Sequence, residues 1–278
     1  MAMKECVESP TLDVVLVGCG NMGFALLTNW LQPGNGVAVH VVEPSADFRA
    51  RAVALGASAS LSANEIPSSL HPSVVVFAVK PNDIAALIGQ YRRFLHAGAV
   101  LVSVAAGVGV RALERAAGAQ VPTIRCVPNI PIAVGAGTSV CYASSNVSDH
   151  QRLDVERLLG KAGAAIFVAD EADLDAATAV SGSGPAYLFY FIECLTRAAV
   201  AAGLSAELGR QIATQTCYGA SFLALRSELD ASALRKQVTS PNGTTQAAMD
   251  VFQENGAFER IIGRAVEQAR ARSVELGI

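Results

Sequence analysis

The sequence contains little charge and no cluster of basic residues. Only 16% of its 278 residues are charged, and the formal net charge is -3 at pH 7. Proteins that bind nucleic acid or an anionic membrane surface through electrostatics carry clustered lysines and arginines. We therefore expect neither nucleic acid nor a membrane as a partner of this chain.

The sequence also lacks the residue groupings that hold metals or activate nucleophiles. Its cysteines form no C-x-x-C pair and have no histidine nearby, which argues against a metal site and against a disulfide framework. No Ser/His/Asp or Cys/His constellation is present, and the four histidines lie outside the motifs of the chain. We expect reduced, mostly buried thiols at the six cysteines, which are Cys6, Cys19, Cys126, Cys141, Cys194 and Cys217.

No segment has the pattern of a secretory signal or of a membrane span. The first ten residues contain charges and no apolar core, unlike a signal peptide. The longest apolar run, Pro185 to Gly203, carries Glu193 and Arg197 near its middle, where charges would be costly in a bilayer. We interpret this run as a buried helix and expect a cytoplasmic protein.

What the sequence does contain is a large share of apolar residues. Hydrophobic residues make up 51% of the 278 residues, enough for a substantial core and for about two domains. Because few charged residues are available to cover a monomer, we expect part of the apolar surface to lie in a subunit interface.

Residues 1–169 alternate short β-branched runs with helical stretches, which predicts an α/β domain built on a parallel sheet. The strand candidates are almost continuously apolar, as expected for strands covered on both faces. They are Leu12–Val17, Val37–Val42, Val74–Val79, Val100–Val104 and a weaker one at Thr123–Val127. The helix candidates are Met22–Leu31, Ala46–Leu55 and Asn82–Phe94, and a last unit around Gly137–Val168 completes this domain.

Residues 170–278 form a second, all-helical domain in our interpretation, because strand-like runs end and alanine-rich helical segments follow. Gly203 and Gly256 are placed to end two of the helices, while Ser205 and either Thr244 or Thr245 could cap the starts of two others. The predicted helices are Glu171–Val180, Pro185–Gly203, Ser205–Ser227, Thr244–Asn255 and Phe258–Leu276.

A dinucleotide fingerprint follows the first predicted strand and opens a helical pattern. In the motif G-x-G-x-x-G, the first glycine permits a tight turn and the second lets the backbone approach a pyrophosphate. The third glycine allows the helix to pack closely on the strand, and the start of the helix faces the anion. The residues predicted to hold the pyrophosphate of NADH or NADPH are Gly18, Gly20, Asn21, Met22 and Gly23.

The sequence leaves the choice between NADH and NADPH open. Glu43 ends the second strand, where an acid can accept hydrogen bonds from the adenosine ribose and thereby favours NADH. Ser45 begins the next helix, whose free N–H groups and hydroxyl could instead hold a 2′-phosphate. Arg49 and Arg51 lie nearby, although we interpret them as part of a solvated helix face. Glu43 and Ser45 are both predicted to contact the cofactor.

Two further segments are candidates for ligand contact. The strand at Val74 leads into Lys80 and Pro81, which places them at the carboxyl end of the strand, where sheets of this type bind ligands. The glycine- and serine-rich segment from Ser181 to Tyr187 interrupts the helical pattern and then starts a helix at Pro185. That segment could contact a ligand, or its glycines could simply allow two helices to pack closely.

The segment Val238 to Thr245 is typical of a turn that leads into a helix. Pro241, Asn242 and Gly243 favour the turn, and the two threonines that follow present hydroxyl and backbone donors. If the segment only capped the following helix, it would use one hydroxyl. The donors of Ser240, Asn242 and the second threonine would then have no specific role. A cluster of donors at a helix start suits a small carboxylate.

Together these motifs resemble the pyrroline-5-carboxylate reductase family, and they occur in order across nearly the whole chain. The resemblance implies reduction of 1-pyrroline-5-carboxylate to L-proline with NADPH or NADH, the last step of proline biosynthesis. It also implies a Rossmann domain followed by a helical dimerisation domain, and a homodimer that often assembles into a decamer of five dimers. The motifs are Gly18–Gly23, Val79-Lys80-Pro81, Pro128-Asn129-Ile130-Pro131, Ser181–Tyr187 and Val238–Thr245.

Carried over onto this chain, the resemblance implies roles for individual residues. Asn64 approaches the adenosine ribose, and the nicotinamide cleft is lined by Ala78, Val79, Lys80 and Pro81. The substrate lies on Val238, Ser240, Asn242, Gly243, Thr244 and Thr245, where Val238 packs on the ring and Thr245 makes the catalytic contact to the carboxylate or the ring nitrogen. The partner subunit's helical domain completes the pocket.

The chain departs from the usual pattern of this family at two positions. Asn242 stands where the family usually has glycine, and Ile130 stands where it usually has threonine. Asparagine tolerates a left-handed backbone better than most residues, so we expect Asn242 to keep the turn while adding bulk and a donor beside the substrate. Ile130 removes a hydroxyl near the cofactor cleft, which would loosen the nicotinamide contacts.

Two alternative functions follow from the same features. A β-hydroxyacid dehydrogenase has a similar fingerprint and a helical second domain, but such enzymes use a lysine on the helix after the interdomain glycines, and Pro185 to Ile192 contains none. A nucleotide-binding regulator without turnover would be consistent with the changes at Asn242 and Ile130. Oxidation of NADH or NADPH by pyrroline-5-carboxylate distinguishes these possibilities.

Overall fold

A single eight-stranded sheet organises the first part of the chain in the computed structural model, which describes residues 12–118 and 120–277. The strand order is β3-β2-β1-β4-β5-β6-β7-β8. The strands are β1 Leu12–Val17, β2 Val37–Val42, β3 Ser58–Ser60, β4 Val74–Phe77, β5 Val100–Ser103, β6 Thr123–Pro128, β7 Gly137–Ala143 and β8 Gly163–Phe167. The Rossmann-type α/β fold predicted from the sequence is confirmed.

Twelve α-helices accompany the sheet within the described residues. Seven lie before Gly182, and they are α1 Asn21–Trp30, α2 Ala46–Ala54, α3 Pro81–Ile88, α4 Arg92–Leu95, α5 Val110–Ala117, α6 Asp149–Gly160 and α7 Asp173–Ala177. Five follow, and they are α8 Gly184–Ala201, α9 Ala206–Arg226, α10 Ala231–Gln237, α11 Thr244–Gln253 and α12 Ala257–Leu276. No strand occurs after β8 in the part of the chain that is described, so the predicted helical second half is confirmed.

The sheet is buried on both faces because helices cover each side. One hydrophobic cluster joins alternate residues of the central strands to α1 and α6, with Trp30 at its centre and fully buried. The other joins the opposite faces of the same strands to α3 and α5, with Tyr91 among its largest buried side chains. This two-sided burial explains why β1 and β4 consist almost entirely of branched apolar residues.

The strand order changes direction next to β1, which positions the functional site. From β1, one half of the sheet continues through β2 to β3, while the other begins with β4 and continues towards β8. All neighbouring pairs from β3 to β6 are parallel. Open sheets of this kind bind their ligands beyond the carboxyl ends of the strands, at the place where the order reverses.

The strand β7 departs from the parallel sheet that the sequence predicted. This strand pairs antiparallel with β6, with Cys126 opposite Cys141, and then parallel with β8. The connection from β6 to β7 contains only a short 3₁₀ turn, Ile130–Val134. Parallel neighbours need a long crossover connection, whereas a short loop returns the chain antiparallel.

Several predicted elements differ from the structure at their ends or in their continuity. The strand predicted for Val74–Val79 ends at Phe77, and the helix predicted for Asn82–Phe94 is divided by a 3₁₀ turn at Gly89–Tyr91. The helix predicted for Glu171–Val180 is the short α7 followed by a π-helical turn, Thr178–Gly182. The strand β3 and the helix α10 were not predicted, because each is too short to show a clear periodicity.

The described chain divides into two compact units. One unit ends at Gly182 and also contains the chain from Ala269 onward, and the other is Ser183–Gln268. The boundary that we predicted at residues 169 and 170 stays a prediction. Within the described ranges, no helix combines the length and the apolar character needed to cross a membrane.

The helices of the second unit bury little of their own apolar surface. The helix α8 forms as predicted, but it contains no fully buried residue in the single chain. The interpretation of Pro185 to Gly203 as a buried helix is therefore wrong for an isolated chain. The end of α8 and the start of α9 are as expected. Gly203 has a left-handed φ of +104° just after α8, and Ser205 caps α9 by accepting a hydrogen bond from the Leu208 N–H.

Candidate active site

The loop after β1 uses its three glycines for different physical reasons. Gly18 has a left-handed φ of +87°, and a Cβ there would lie 2.7 Å from the carbonyl oxygen of Ala78. A Cβ on Gly23 would collide with the carbonyl oxygen of Gly18. A Cβ on Gly20 would have no protein atom within 4 Å. Packing within the protein therefore explains Gly18 and Gly23, whereas the open space at Gly20 lets a ligand approach the backbone.

The start of α1 beside this open space has unpaired N–H groups. Gly20 is the N-cap residue and supplies no side-chain cap, while its carbonyl oxygen accepts a hydrogen bond from Phe24 N–H at 2.8 Å. Asn21 is exposed and Met22 is half-buried in this first turn. The first N–H groups of a helix have no partner inside the helix and carry the positive end of its dipole. The loop thus fits the pyrophosphate of a nicotinamide dinucleotide.

Glu43 is attached to this loop by two backbone hydrogen bonds that the sequence did not reveal. Its Oε2 accepts from the N–H of Cys19 at 2.7 Å, and its Oε1 accepts from the N–H of Ser45 at 2.9 Å. The residue is only 8% exposed. The hydroxyl of Ser45 caps α2 by accepting from Phe48 N–H at 3.5 Å. Glu43 therefore joins the glycine loop to the start of α2.

The two arginines of α2 contact the protein, while Arg49 is half-buried and Arg51 is exposed, so their interpretation as part of a solvated helix face stays a prediction. Arg49 Nη1 donates to the carbonyl oxygens of Glu43 and Pro44, both at 2.7 Å. The guanidinium of Arg51 lies 3.9 Å from the centre of the Phe24 ring, in a cation–π contact. Both side chains support the local structure around the end of β2.

The thiol in the glycine loop is not activated. Burial and then the charge of Glu43 raise the pKa of Cys19 to about 11, although Arg51 acts in the opposite direction. The thiol stays protonated at neutral pH and is a poor nucleophile. All five cysteines of the described chain are free, which agrees with the expectation of reduced thiols, and Cys6 lies outside the described residues.

A cleft of about 190 Å³ lies at the carboxyl ends of the strands β4, β5 and β6. Its lining includes Met22, Ala78 and Val79, which were predicted to contact the cofactor, together with residues from β6 and the end of β5 that were not. These further residues are Val104, Ala106, Cys126, Val127 and Pro128. Their positions at the ends of predicted strands were a usable signal. The apolar lining suits the flat face of a nicotinamide ring.

Lys80 and Pro81 lie next to this cleft but do not line it. Lys80 is the N-cap residue of α3 and its side chain is exposed, while Pro81 occupies the first turn of the helix, where a missing N–H has no cost. Asn64 lies in an exposed position of a 3₁₀ turn, Ala63–Glu65, that follows β3. The amide of Asn64 has no hydrogen-bond partner within the described residues.

Asn129 holds the end of β6 in place through its side chain. Its Nδ2 donates to the carbonyl oxygen of Ser181 at 3.1 Å and to the Ser181 hydroxyl at 3.3 Å, while its Oδ1 accepts from Thr138 N–H at 2.8 Å. Ser181 belongs to the π-helical turn after α7. This contact gives part of the glycine- and serine-rich segment a structural role. Ile130 next to Asn129 is 65% exposed.

In the second unit, the segment after α10 forms the predicted turn. Gly243 N–H donates to the carbonyl oxygen of Ser240 at 3.0 Å, and Asn242 has a left-handed φ of +58°. Proline at the second position and a positive φ at the third are the features of a type II turn. The expectation that Asn242 can keep this turn is confirmed. Val238 lies just before the turn and is 64% exposed.

The helix α11 starts without a side-chain cap, so the prediction that Thr244 or Thr245 caps it is wrong. The N-cap residue is Gly243, because the chain bends one residue earlier than expected. Within the described residues, the hydroxyls of Ser240, Thr244 and Thr245 have no hydrogen-bond partner. The N–H groups of the first turn are equally free. The segment therefore presents hydroxyl and amide donors that can bind a small carboxylate.

Other candidate sites in the described residues do not compete with these two. A larger cavity of about 560 Å³ lies where β4 and β5 begin, at the amino ends of the strands and opposite to the glycine loop. No group of three or more metal-binding side chains is found in residues 12–118 and 120–277. His40 is buried between Ser58 and Ser60, at 2.8 and 3.0 Å, and burial lowers its pKa. Its role is to join β2 to β3.

The glycine loop, the uncapped start of α1 and the apolar cleft at the same sheet edge define a nicotinamide-dinucleotide-dependent oxidoreductase. Two family models match the chain: pyrroline-5-carboxylate reductase dimerisation at residues 171–276, and NADP oxidoreductase coenzyme F420-dependent at residues 13–107. The chain is 38% identical to pyrroline-5-carboxylate reductase of Pseudomonas aeruginosa over 96% of its length and 97% of the relative. It belongs to the pyrroline-5-carboxylate reductase family.

Solved structures agree with this assignment. A pyrroline-5-carboxylate reductase from Coxiella burnetii superposes with a TM-score of 0.91 at 30% identity, covering 96% of this chain and 99% of that one. A pyrroline carboxylate reductase from Plasmodium falciparum with NADP bound gives a TM-score of 0.79 at 27% identity, covering 96% and 98%. The resemblance predicted from the motifs is thus confirmed over both units of the chain.

Proposed function

We propose that this chain reduces 1-pyrroline-5-carboxylate to L-proline with NADPH or NADH, the last step of proline biosynthesis. The observation that carries the proposal is the match to the family along the whole chain, which includes both the glycine loop and the turn before α11. A reductase of a cyclic imino acid needs a dinucleotide site and a carboxylate site. The chain has a suitable candidate for each.

In this proposal the cofactor binds along the carboxyl edge of the sheet. The pyrophosphate lies on the glycine loop and the first turn of α1, the adenosine ribose lies beside the end of β2, and the nicotinamide lies in the apolar cleft. The cofactor-binding residues are Gly18, Gly20, Asn21, Met22, Gly23, Glu43, Ser45, Asn64, Ala78, Val79, Lys80 and Pro81. The open space at Gly20 supports this assignment, because it lets a pyrophosphate approach the backbone at the start of α1.

The substrate binds at the start of α11 in the same proposal. Its carboxylate accepts hydrogen bonds from the free N–H groups and hydroxyls there, and the side chain of Val238 packs on the ring. The substrate-binding residues are Val238, Ser240, Asn242, Gly243, Thr244 and Thr245. The absence of a side-chain cap on α11 supports this role, since a cap would have consumed one of these donors.

When bound, the reduced nicotinamide supplies a hydride to the carbon of the C=N bond. The protonated imine is the more reactive form of the substrate, so the chain promotes the reaction by binding and orienting it. The hydroxyl oxygen of Thr245 accepts a hydrogen bond from the protonated ring nitrogen and keeps its position while the nitrogen becomes a secondary amine. No activated nucleophile is required, in agreement with the protonated thiol of Cys19.

Steady-state kinetics of Thr245→Ala test this role. Loss of one transition-state hydrogen bond should lower kcat/KM for pyrroline-5-carboxylate by about 5- to 150-fold, corresponding to about 1–3 kcal/mol. Thr245→Ser keeps the hydroxyl and should restore most of the activity. Unchanged kcat/KM in Thr245→Ala would remove Thr245 from the mechanism, whereas no turnover by the unaltered chain with either cofactor would contradict the proposed function itself.

The chain forms a homo-oligomer through its dimerisation domain. We further propose that the basic assembly is a homodimer, that five dimers form a decamer, and that the enzyme works in the cytoplasm. Exposed aromatic and aliphatic residues along α8 and α9 support subunit contact, since this surface would otherwise face water. Light scattering measures the mass and distinguishes a dimer from a decamer.

A further inference from the structure

The end of β2 contains a carboxylate that is held rigidly at the place where the two nicotinamide cofactors differ. NADPH carries a phosphate on the 2′-oxygen of its adenosine ribose, and NADH carries a hydroxyl there. An acid after the second strand of such sheets lies next to this oxygen. Glu43 occupies that position, and the N–H groups of Cys19 and Ser45 hold both of its oxygens, at 2.7 and 2.9 Å.

A 2′-phosphate would meet a backbone donor that is already used in this structure. The N–H of Ser45 is one of the amides at the start of α2 that could hold a phosphate, and it donates to Glu43 Oε1 instead. The hydroxyl oxygen of Ser45 accepts a hydrogen bond from Phe48 N–H as the cap of α2, which orients this hydroxyl towards the helix. The carboxylate of Glu43 therefore occupies the Ser45 N–H that a phosphate would otherwise use.

The nearby cations are also engaged. Arg49 Nη1 donates to two backbone carbonyl oxygens, and Arg51 lies against the ring of Phe24. A phosphate placed here would face the negative charge of Glu43 at close range. Like charges at close range oppose binding strongly where the site is shielded from water.

We propose that Glu43 makes this chain selective for NADH over NADPH. Each oxygen of Glu43 accepts one backbone hydrogen bond and retains a free lone pair, so it can also accept a hydrogen bond from a ribose hydroxyl. A ribose 2′-hydroxyl supplies that donor, whereas a 2′-phosphate supplies only negative charge. The kinetic test of this inference rests on the proposed function, because it measures turnover. The binding test requires only that the nucleotide site binds its ligand.

The kinetic test compares kcat/KM for NADH and NADPH at saturating pyrroline-5-carboxylate. We expect the unaltered chain to favour NADH by about tenfold or more, as a close like charge predicts. Glu43→Ser removes the charge and frees both amides, so its ratio should shift towards NADPH by a similar factor. Asp47→Asn, an equal change of charge in the exposed first turn of α2, should leave the ratio unchanged.

The binding test needs neither turnover nor an altered chain. Isothermal titration of the full-length protein should give tighter binding of ADP-ribose than of 2′-phospho-ADP-ribose, by about tenfold or more. Equal binding, or tighter binding of the phosphorylated compound, would overturn the inference even if Glu43→Ser fails to fold. Selective binding of ADP-ribose without any reduction of pyrroline-5-carboxylate would support the inference and contradict the proposed function.

Discussion

At the scale of single residues, the fingerprint contains two glycines that close packing requires and one that has open space beside it. The Cβ of any other residue would meet Ala78 at Gly18 and would collide with backbone at Gly23. Gly20 has neither a positive φ nor a neighbour that a Cβ would contact. The motif alone predicted one role for each glycine. The structure shows which atoms exclude a side chain at Gly18 and at Gly23.

This difference predicts opposite effects for two alanine substitutions. Gly20→Ala should change the free energy of unfolding by less than about 1 kcal/mol. It should raise KM for the nicotinamide cofactor by about ten- to a hundredfold, because the methyl group displaces the pyrophosphate. Gly23→Ala should lower the free energy of unfolding by about 1–3 kcal/mol, because α1 must move away from the loop.

Urea unfolding and cofactor titration of the two variants check this prediction. A normal cofactor KM in Gly20→Ala would show that no pyrophosphate approaches this loop. Equal losses of stability in both variants would contradict the distinction between the two glycines.

Glu43 shows what could and could not be predicted for a residue. Its place after the second strand led us to predict contact with the cofactor ribose, which stays a prediction. Its hydrogen bonds to Cys19 and Ser45 could not be predicted, because they depend on how the β1 loop and the start of α2 meet in space. The same holds for Arg49, whose backbone partners become visible only when the chain reverses around Pro44.

At the scale of elements, the turn between α10 and α11 combines a strained residue with an uncapped helix. Asn242 and Asn255 are the two non-glycine residues with a positive φ in the described chain, at 58° and 52°. Asn242 precedes the free donors of α11, while Asn255 lies in the kink between α11 and α12. Both residues have a similar left-handed backbone. Only Asn242 lies within the segment that is proposed to contact the substrate.

We predict that Asn242→Ala lowers the free energy of unfolding by about 1 kcal/mol, because alanine is disfavoured in the left-handed region. It should also raise KM for pyrroline-5-carboxylate, since the turn positions the N–H groups of α11. Asn242→Gly should preserve both properties. Asn255→Ala serves as the matched control and should lower stability by a similar amount without changing KM. If Asn242→Ala left KM unchanged, the turn would not belong to the substrate site.

The same scale shows why some elements were predicted well and others were not. Strands such as β1 and helices such as α9 follow a clear apolar pattern and were predicted to within a residue or two. The N-cap residue of α11 was misplaced although the first helical residue, Thr244, was predicted correctly, because Gly243 and Thr244 are both acceptable N-cap residues and only the turn geometry decides between them. The antiparallel pairing of β7 with β6 depends on the short loop between these two strands. It does not depend on the composition of β7.

At the scale of the whole molecule, the helical unit exposes the apolar surface that the composition led us to expect in an interface. Tyr218 and Phe222 of α9 stack at 5.9 Å and are 61% and 49% exposed, and Leu225 is 81% exposed. A monomer with such a surface would be poorly soluble. We therefore expect a second copy of the chain to cover this surface.

We predict that Phe222→Asp weakens self-association by about 2 kcal/mol or more, which is roughly 30-fold in Kd. Sedimentation velocity over a range of concentrations measures this change. Leu153→Asp, at an exposed apolar position on α6 in the first unit, is the matched control and should leave the mass unchanged. Equal self-association of both variants would show that this part of α9 lies outside the subunit interface.

By itself, the sequence determined the two kinds of domain, the glycine loop, the family and the presence of a donor-rich turn. These features are encoded in local periodicity and in short runs of residues, so they can be identified without long-range contacts. Only the tertiary structure decided that Glu43 binds the glycine loop, that Arg49 is engaged, that β7 runs antiparallel and that α11 starts at an uncapped glycine. Each of these depends on which distant segments become neighbours when the sheet assembles, and hydrogen bonds between such segments leave no pattern in the sequence of either one.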